Sequence, residues 1–463
     1  MSTFSIQNFG CRATDADAAA LRADLAAAGL TLVDDHGVAD VVVLNTCTVT
    51  TSADTQARDA VRKIHRANPG AKIVVTGCYA QRAPEELAAL DGVAFVVGNS
   101  HQSSIASLVR DFPLLGGDAI GNGFVSLDSL DSEPMSLSRG PAKILTGDIF
   151  QQSAVQIAPL AERDAERTRP ILKIQDGCNN RCSYCVIPFV RGKSRSLAPD
   201  HVIAEVQKLV AAGAKEIVLS GINLGAYGRD FSPRVELVSV VRRILDETSL
   251  EQLRFSSIEP QDVTEDFIAL VASSARIAPH FHVPLQSGSD NILKAMHRWY
   301  RAQHYAERIR LIRRLIPHAG IGADVIVGFP GETEADFNAT RQLIEALPFT
   351  YLHVFSFSAR PGTGAESLPG KVNENTIHER ARILRAIGRA KSAEFRKSQA
   401  GSAVRALTLA RRGPGYTEAL TGNYLKVRIA GDWPANQWFE AKTPAEEATI
   451  ATALACDDVP QLV

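Results

Sequence analysis

From Pro170 to about residue 360 the chain alternates short apolar runs with longer amphipathic ones, and no other feature constrains its fold as strongly. The strand-like runs are Ile171 to Gln175, Glu216 to Ser220, Gln252 to Ser256, His280 to Pro284, Ile321 to Val327 and Tyr351 to Phe357. The helix-like stretches between them are Pro199 to Ala212, Leu237 to Thr248, Thr264 to Ala275, Tyr305 to Ile316 and Glu334 to Leu347. Such alternation specifies parallel strands joined by helical crossovers. Six units fall short of the eight that close a (β/α)8 barrel, so an open partial barrel is expected over residues 168–398. A doubly wound sheet is the other architecture with this pattern, but no G-x-G-x-x-G opens a helix here. In a barrel, the residues that follow the strands share one mouth. Those residues are a cysteine loop, Gly221, Glu259, Gln286, Phe329 and Arg360.

The cysteine loop reads Gly177-Cys-Asn-Asn-Arg-Cys-Ser-Tyr-Cys-Val-Ile-Pro188. Cys178, Cys182 and Cys185 therefore stand in a C-x3-C-x2-C spacing. Three thiolates this close can hold three corners of an iron–sulfur cube and leave the fourth iron open to a substrate. Zinc usually takes four ligands in paired C-x2-C sets, and no Cys or His stands at such a spacing downstream of Cys185. Disulfides are disfavoured because nothing suggests secretion.

Residues 1–130 carry a second cysteine set on a βαβ pattern. Cys11 lies in Phe9-Gly-Cys-Arg12, Cys47 in Asn45-Thr-Cys-Thr48 and Cys78 in Gly77-Cys-Tyr-Ala-Gln81. Each follows a strand-like run: Phe4 to Phe9, Val41 to Leu44, Ile73 to Val75. The carboxyl ends of parallel strands line one edge of a sheet, so the three can converge on a single metal centre. Taken singly, each is better explained as a small buried hydrophobe, but all three in the same strand-end context are harder to dismiss. The seventh cysteine, Cys456, has no motif.

Residues 131–167 read as a linker, with Pro134, Gly140, Pro141 and Gly147 among Ser and Asp. Residues 376–398 form a helix rich in Arg and Lys, and 399–463 turn to short alternating strands, the pattern of a small OB-like β-barrel. The whole is thus an α/β multidomain chain. Net charge is −1 over 463 residues, so a polyanion must be met by a local basic face. Between Arg380 and Arg412 stand ten Lys or Arg and one acidic residue, Glu394. No stretch is long and apolar enough to span a membrane and the amino-terminal residues lack a signal-peptide pattern, so a cytoplasmic location is expected.

The order of these features resembles the methylthiotransferases of the radical S-adenosylmethionine (SAM) superfamily. Further matching motifs are Gln175-Asp-Gly-Cys178, Ile187-Pro-Phe-Val-Arg-Gly192, Pro284-Leu-Gln-Ser-Gly-Ser-Asp290, Met296-His-Arg298, Asp324-Val-Ile-Val-Gly-Phe-Pro-Gly-Glu-Thr333 and Ser358-Ala-Arg-Pro-Gly-Thr363. One departure is the Arg-Ala-Thr-Asp after Cys11, where the family often has Lys-Val-Asn-Gln. The resemblance implies two [4Fe–4S] clusters, one on Cys178, Cys182 and Cys185 with SAM on its open iron, the other on Cys11, Cys47 and Cys78. It implies a radical that opens an unactivated C–H, sulfur insertion and methylation, with a TRAM-type RNA-binding tail. Tyr184 is implied to pack near the SAM adenine, and Gly221 and Asn223 to meet its amino end. Gln286, Ser287 and Asp324, at or near strand ends, are expected to bind ribose or substrate, or else to be structural. The basic trio Arg191, Lys193 and Arg195 is expected to meet RNA phosphate or an anionic ligand; a solvated loop is the plain reading. The partners so implied are a tRNA anticodon stem-loop and a flavodoxin- or ferredoxin-like electron donor.

Within the family, Asn-Thr-Cys-Thr-Val-Thr, Arg-Gly-Lys-Ser-Arg-Ser and Ser257-Ile-Glu-Pro260 look closer to the branch that acts on threonylcarbamoyladenosine. The isopentenyladenosine branch tends to carry an Arg-Glu pair after the second cysteine and His-Pro in place of Glu259-Pro260. Another branch modifies a ribosomal-protein aspartate. A non-catalytic cluster-bearing RNA-binding protein is the alternative of a different class, and an intact cysteine loop on a full barrel argues against it.

Overall fold

The computed structural model describes residues 2–110, 142–152, 155, 168–447 and 449–453. Cys456 lies outside them.

The amino-terminal unit is a parallel sheet of six strands: β1 (Thr3–Asn8), β2 (Thr31–Leu32), β3 (Val41–Thr46), β4 (Lys72–Gly77), β5 (Val93–Gly98) and β6 (Lys143–Leu145), in the order β2-β1-β3-β4-β5-β6. Its central strands are buried on both faces, which is why β3 reads Val-Val-Val-Leu without alternation. The sixth strand corrects the predicted linker. Residues 143–145 pair in parallel with β5, so part of the stretch 131–167 is an edge of this sheet. A three-residue strand is too short to register as a period in sequence.

The second unit holds β7 (Ile171–Asp176), a short antiparallel β8 (Arg195–Ser196), β9 (Glu216–Gly221), β10 (Gln252–Phe255), β11 (His280–His282), β12 (Gly320–Val327) and β13 (Tyr351–Ser356). The parallel order runs β7-β9-β10, then β11-β12-β13, and a bridge between Ser257 and His282 joins the two halves. Six parallel strands thus make the expected open barrel. Period two decides what faces where. On β12, Ile321, Ala323, Val325 and Val327 belong to the outer core; Asp324 does not, and it reaches the inner cavity instead. On β7, Leu172 and Ile174 join that core, while Lys173 meets Asp17 of the first helix. The helix Glu334–Ala346 is closed at its start by a capping box between Thr333 and Asp336.

The carboxyl-terminal unit is a closed barrel of β14 (Ala403–Gly413), β15 (Tyr416–Thr421), β16 (Lys426–Ala430), β17 (Trp438–Lys442) and β18 (Ile450–Ala453). It docks under the open barrel. The buried guanidinium of Arg254 donates to the carbonyls of Gly422 (2.9 Å) and Thr421 (3.1 Å) and pairs with Glu216 (2.7 Å).

The basic helix, Glu374–Ser398, is less free than its composition suggests. Arg380 is buried on Glu332 (2.7 Å), Arg396 donates to the Lys426 carbonyl (2.9 Å) and Lys391 to the carbonyls of Glu345 and Leu347. These cations fasten the helix to the barrel. Arg389 and Lys397 remain exposed.

Candidate functional site

The first helix, Arg12–Ala27, packs against β7 and β9 and brings the edge of the amino-terminal sheet over the barrel mouth. Between the two units lies a cavity of about 340 Å³. Cys178, Cys182, Cys185 and Tyr184 form one side of it. Val49 and Thr50, directly after Cys47, form another. Asn223, Glu259, Gln286, Arg298, Asp324 and Phe355 also line it. Cavities of this size at domain interfaces are where substrates usually bind.

The cysteine loop offers its sulfurs to hydrogen-bond donors. The Asn180 N–H points at the Cys178 sulfur (3.4 Å), as does the Asn223 amide at 4.0 Å. Arg298 donates to the Cys182 sulfur at 3.3 Å and pairs with Glu259. Donors aimed at sulfur favour thiolates, the form that binds iron. Among the described residues the Asn223 side-chain oxygen is buried without a partner, an acceptor left for an incoming amine. Burial pushes the Cys185 thiol up to about 12, with neighbouring Cys182 adding to it. A bound metal reverses that balance, because a coordinating thiol gives up its proton.

Cys11, Cys47 and Cys78 follow β1, β3 and β4, three neighbouring strands of one sheet. Their closeness is visible at Gly10 (φ +121°), where a side-chain carbon would sit 2.6 Å from the Cys47 Cβ and 3.1 Å from its sulfur. Burial, then Cys78 and Cys11, push the Cys47 thiol up to about 12. Cys78 packs on Val186 and Val190, which belong to the segment running on from Cys185. Asn99 ties the two together by donating to the Val190 carbonyl (2.8 Å) and lying 3.6 Å from the Cys78 sulfur. One short helix, Ile187–Arg191, lies between the two triads.

Two buried ionic networks clamp the units together. In the first, Asp17 of the first helix takes Arg191 at 2.7 Å and also pairs with Lys173; Asp176 takes Lys173 at 2.9 Å, Arg191 at 3.2 Å and Arg195 at 3.3 Å. Burial works to lower the Arg191 pKa, but the negative groups around it, Asp17 first among them, together outweigh it, and the guanidinium is held well above its usual pKa. In the second, Arg360 from the loop after β13 donates to Thr48 (2.9 Å) and Thr51 (3.1 Å) and pairs with Asp54, which also holds Arg82 at 3.0 Å. Thr48 is the residue after Cys47, so the clamp sets the position of that ligand loop. Removing one member of a buried pair strands the other, at a cost of about 3–5 kcal/mol. Asp17→Asn is therefore expected to lower the thermal midpoint by many degrees. An unchanged midpoint in a denaturation scan would show that the clamp adds nothing.

The predicted site residues separate accordingly. Tyr184, Asn223, Gln286 and Asp324 line the cavity with the three loop cysteines. Gly221 lies behind it, where a side-chain carbon would meet Gln175 at 2.8 Å. Ser287 is buried on Thr340 (3.2 Å) and points away from the cavity, so the structure makes it structural. The basic trio does not act as a unit. Arg191 and Arg195 are spent on Asp17 and Asp176, and Lys193 is exposed outside the cavity lining. The expected role as a free cation beside the substrate is withdrawn for Arg191 and Arg195. The sequence alone assigns no role to Arg298, Asp17, Asp54 or Lys173. Arg298 stands inside a matching motif, Met296-His-Arg298, which is the one signal that could have found it.

An open six-strand barrel with a three-cysteine mouth, covered by a parallel sheet bearing three more, defines a cluster-dependent enzyme of the radical SAM class. Residues 172–344 match the model of the radical SAM superfamily, and residues 3–98 match that described as uncharacterized protein family UPF0004. The threonylcarbamoyladenosine tRNA methylthiotransferase MtaB of Aquifex aeolicus is 35% identical over 92% of this chain and 96% of its own. The protein of the same name from Bacillus subtilis is 36% identical over 84% and 80%. A tRNA-2-methylthio-N(6)-dimethylallyladenosine synthase of Paenarthrobacter aurescens is 34% identical over 97% and 82%. Among solved structures, the radical SAM methyltransferase TsrM of Kitasatospora setae superposes with TM-score 0.57 at 15% identity, over 89% of this chain and 80% of that one, a likeness of fold. The chain belongs to the tRNA methylthiotransferase family of radical SAM enzymes. It is an enzyme of that kind, using SAM and [4Fe–4S] clusters.

Proposed function

We propose that this enzyme adds a methylthio group to C2 of N6-threonylcarbamoyladenosine next to the anticodon of tRNA. The observation that carries the reading is the pair of cysteine triads clamped on either side of one short helix, with a substrate-sized cavity at the loop triad. When bound, the loop cluster and SAM supply the radical and the second cluster the site of sulfur transfer. The protein's own residues do the rest. Cys178, Cys182 and Cys185 hold the first cluster, Cys11, Cys47 and Cys78 the second. Tyr184 and Asn223 flank the SAM side of the cavity, with the paired Arg298 and Glu259 lining it beside Cys182. Gln286, just beyond β11, and Asp324 on β12 face it where the adenosine enters. Holding the reactants in register across the cavity is the protein's main contribution to rate.

Two relatives named for threonylcarbamoyladenosine match over 96% and 94% of their own length, and Glu259-Pro260 supports the same branch. The dimethylallyladenosine reading has its own support in relatives of similar identity. Incubating reconstituted enzyme with tRNA carrying each precursor decides between them. Conversion of the dimethylallyl tRNA alone would overturn the substrate while leaving the chemistry in place. The reductant is proposed to be flavodoxin- or ferredoxin-like. No helix among the described residues is long and apolar enough to cross a membrane, in keeping with the expected cytoplasmic location.

The carboxyl-terminal barrel is proposed as a TRAM-like RNA-binding module. Deleting it would strand the buried Arg254, so surface substitutions test it better. Lys426→Glu with Lys442→Glu, both exposed on strands of the barrel, is expected to weaken tRNA binding uniformly across sequences. It should also flatten the dependence on log salt by roughly one for each phosphate no longer neutralised. SAM cleavage should be unaffected. An unchanged salt slope would remove this face from the RNA path.

A further inference from the structure

The substrate named above carries a carboxylate on its N6 side chain, and a buried carboxylate needs a cation or donors. Arg191 and Arg195 do not supply them, because their charges are spent on Asp17 and Asp176. Another set of polar groups stands at the edge of the cavity. Asp324 lines it, and both His282 and His353 reach the same oxygen of that carboxylate: His282 Nε2 at 3.0 Å and His353 Nδ1 at 3.1 Å from Oδ1. Oδ2 takes neither of them.

The arrangement is built by three neighbouring strands. Asp324 on β12 is the register partner of His353 on β13, so their side chains share a face. His282 on β11 pairs with Gly322, which has no side chain to intervene. The Tyr351 ring fills that space, and a side-chain carbon at Gly322 would overlap it. The tyrosine hydroxyl sits 3.0 Å from His282 Nδ1 and 2.9 Å from His280 Nε2, which fixes the His282 ring. His353 is different. Its side chain is 52% exposed, and its Nε2 makes no hydrogen bond among the described residues. Phe355, the next residue on that face of β13, lies edge-on to the His353 ring and lines the cavity.

We propose that His353 and Asp324 form the subsite for the N6 substituent, an aliphatic urea bearing a hydroxyl and a carboxylate. The imidazole, protonated in the complex and braced by Asp324, donates from Nε2 to the substrate carboxylate. Asp324 Oδ2 accepts from the urea N–H or the hydroxyl, and Phe355 covers the methyl group. A second carboxylate beside Asp324 is tolerable because the imidazolium stands between them. A dimethylallyl group would leave both polar partners unmatched, which gives the subsite its selectivity. The inference rests on the proposed substrate and adds the residues that read it.

The test uses reconstituted full-length enzyme and two anticodon stem-loops, one with threonylcarbamoyladenosine and one with the threonine carboxylate replaced by a primary alcohol. Charge-assisted hydrogen bonds of this kind are worth roughly 10- to 100-fold in binding. The wild-type enzyme should show a KM lower by about that factor for the carboxylate substrate, with kcat moved far less. His353→Ala should bring the two KM values together, with SAM cleavage in the same samples reporting that the protein is folded and loaded. If the alanine variant does not fold, His353→Gln, which keeps a donor without the charge, should lose most of the preference. Preference retained in a folded variant overturns the inference, as does an equal KM for both stem-loops in the wild type. Conversion of neither, with turnover of a dimethylallyl stem-loop, overturns the substrate reading and the inference with it.

Discussion

Replacing Cys178, Cys182 and Cys185 together by alanine will remove about half of the iron from anaerobically reconstituted protein and abolish SAM cleavage. Two cubanes hold about eight irons per chain, four on each triad, so the loss should be about four. The effect on turnover should be complete, because SAM would have no open iron to bind at the cavity. Arg298, which donates to the Cys182 sulfur, and Asn223, whose amide faces Cys178, would be left pointing at empty space. The triads are on separate units, so the remaining iron should stay bound. Iron analysis and deoxyadenosine formation give the two readings. Undiminished SAM cleavage in the triple variant would sink the assignment of this loop.

Alanine at Cys11, Cys47 and Cys78 should divide the reaction instead of stopping it. SAM cleavage should persist, since the loop triad and its cavity are intact. Methylthiolated tRNA should fall to background, because the proposed sulfur site is gone. The remaining concern is structural: Cys47 and Cys78 are buried, and losing their packing costs some stability. The iron content of the variant guards against that, as it should settle at about four. Unchanged product yield would make these cysteines structural residues only.

How far the sequence could be read depends on how far apart the interacting residues lie. The barrel strands were legible because burial on one face writes a period of two into neighbouring residues. Ile321, Ala323, Val325 and Val327 show it against Gly322 and Asp324. The loop cysteines were legible for a similar reason, since Cys178, Cys182 and Cys185 stand within eight positions of one another. The amino-terminal triad was harder, with its members dozens of residues apart, yet each follows a strand and parallel strands end on one edge.

Charge was not legible in this way. Arg191, Lys193 and Arg195 look like a solvated basic loop, but Asp17, which neutralises Arg191, is 174 positions away. The basic run from Arg380 looked like a nucleic-acid face, yet Arg380 and Arg396 are buried fasteners. The His282–Asp324–His353 group likewise spans three strands with no local motif. The sequence by itself determined the strand and helix order of the two α/β units and the spacing of the cysteines, because these rest on local periodicity, while the class of chemistry followed from the resemblance that the motifs carry. Only the tertiary structure decided which cations are free to meet a substrate, because pairing and burial depend on residues that meet in space after the chain has folded.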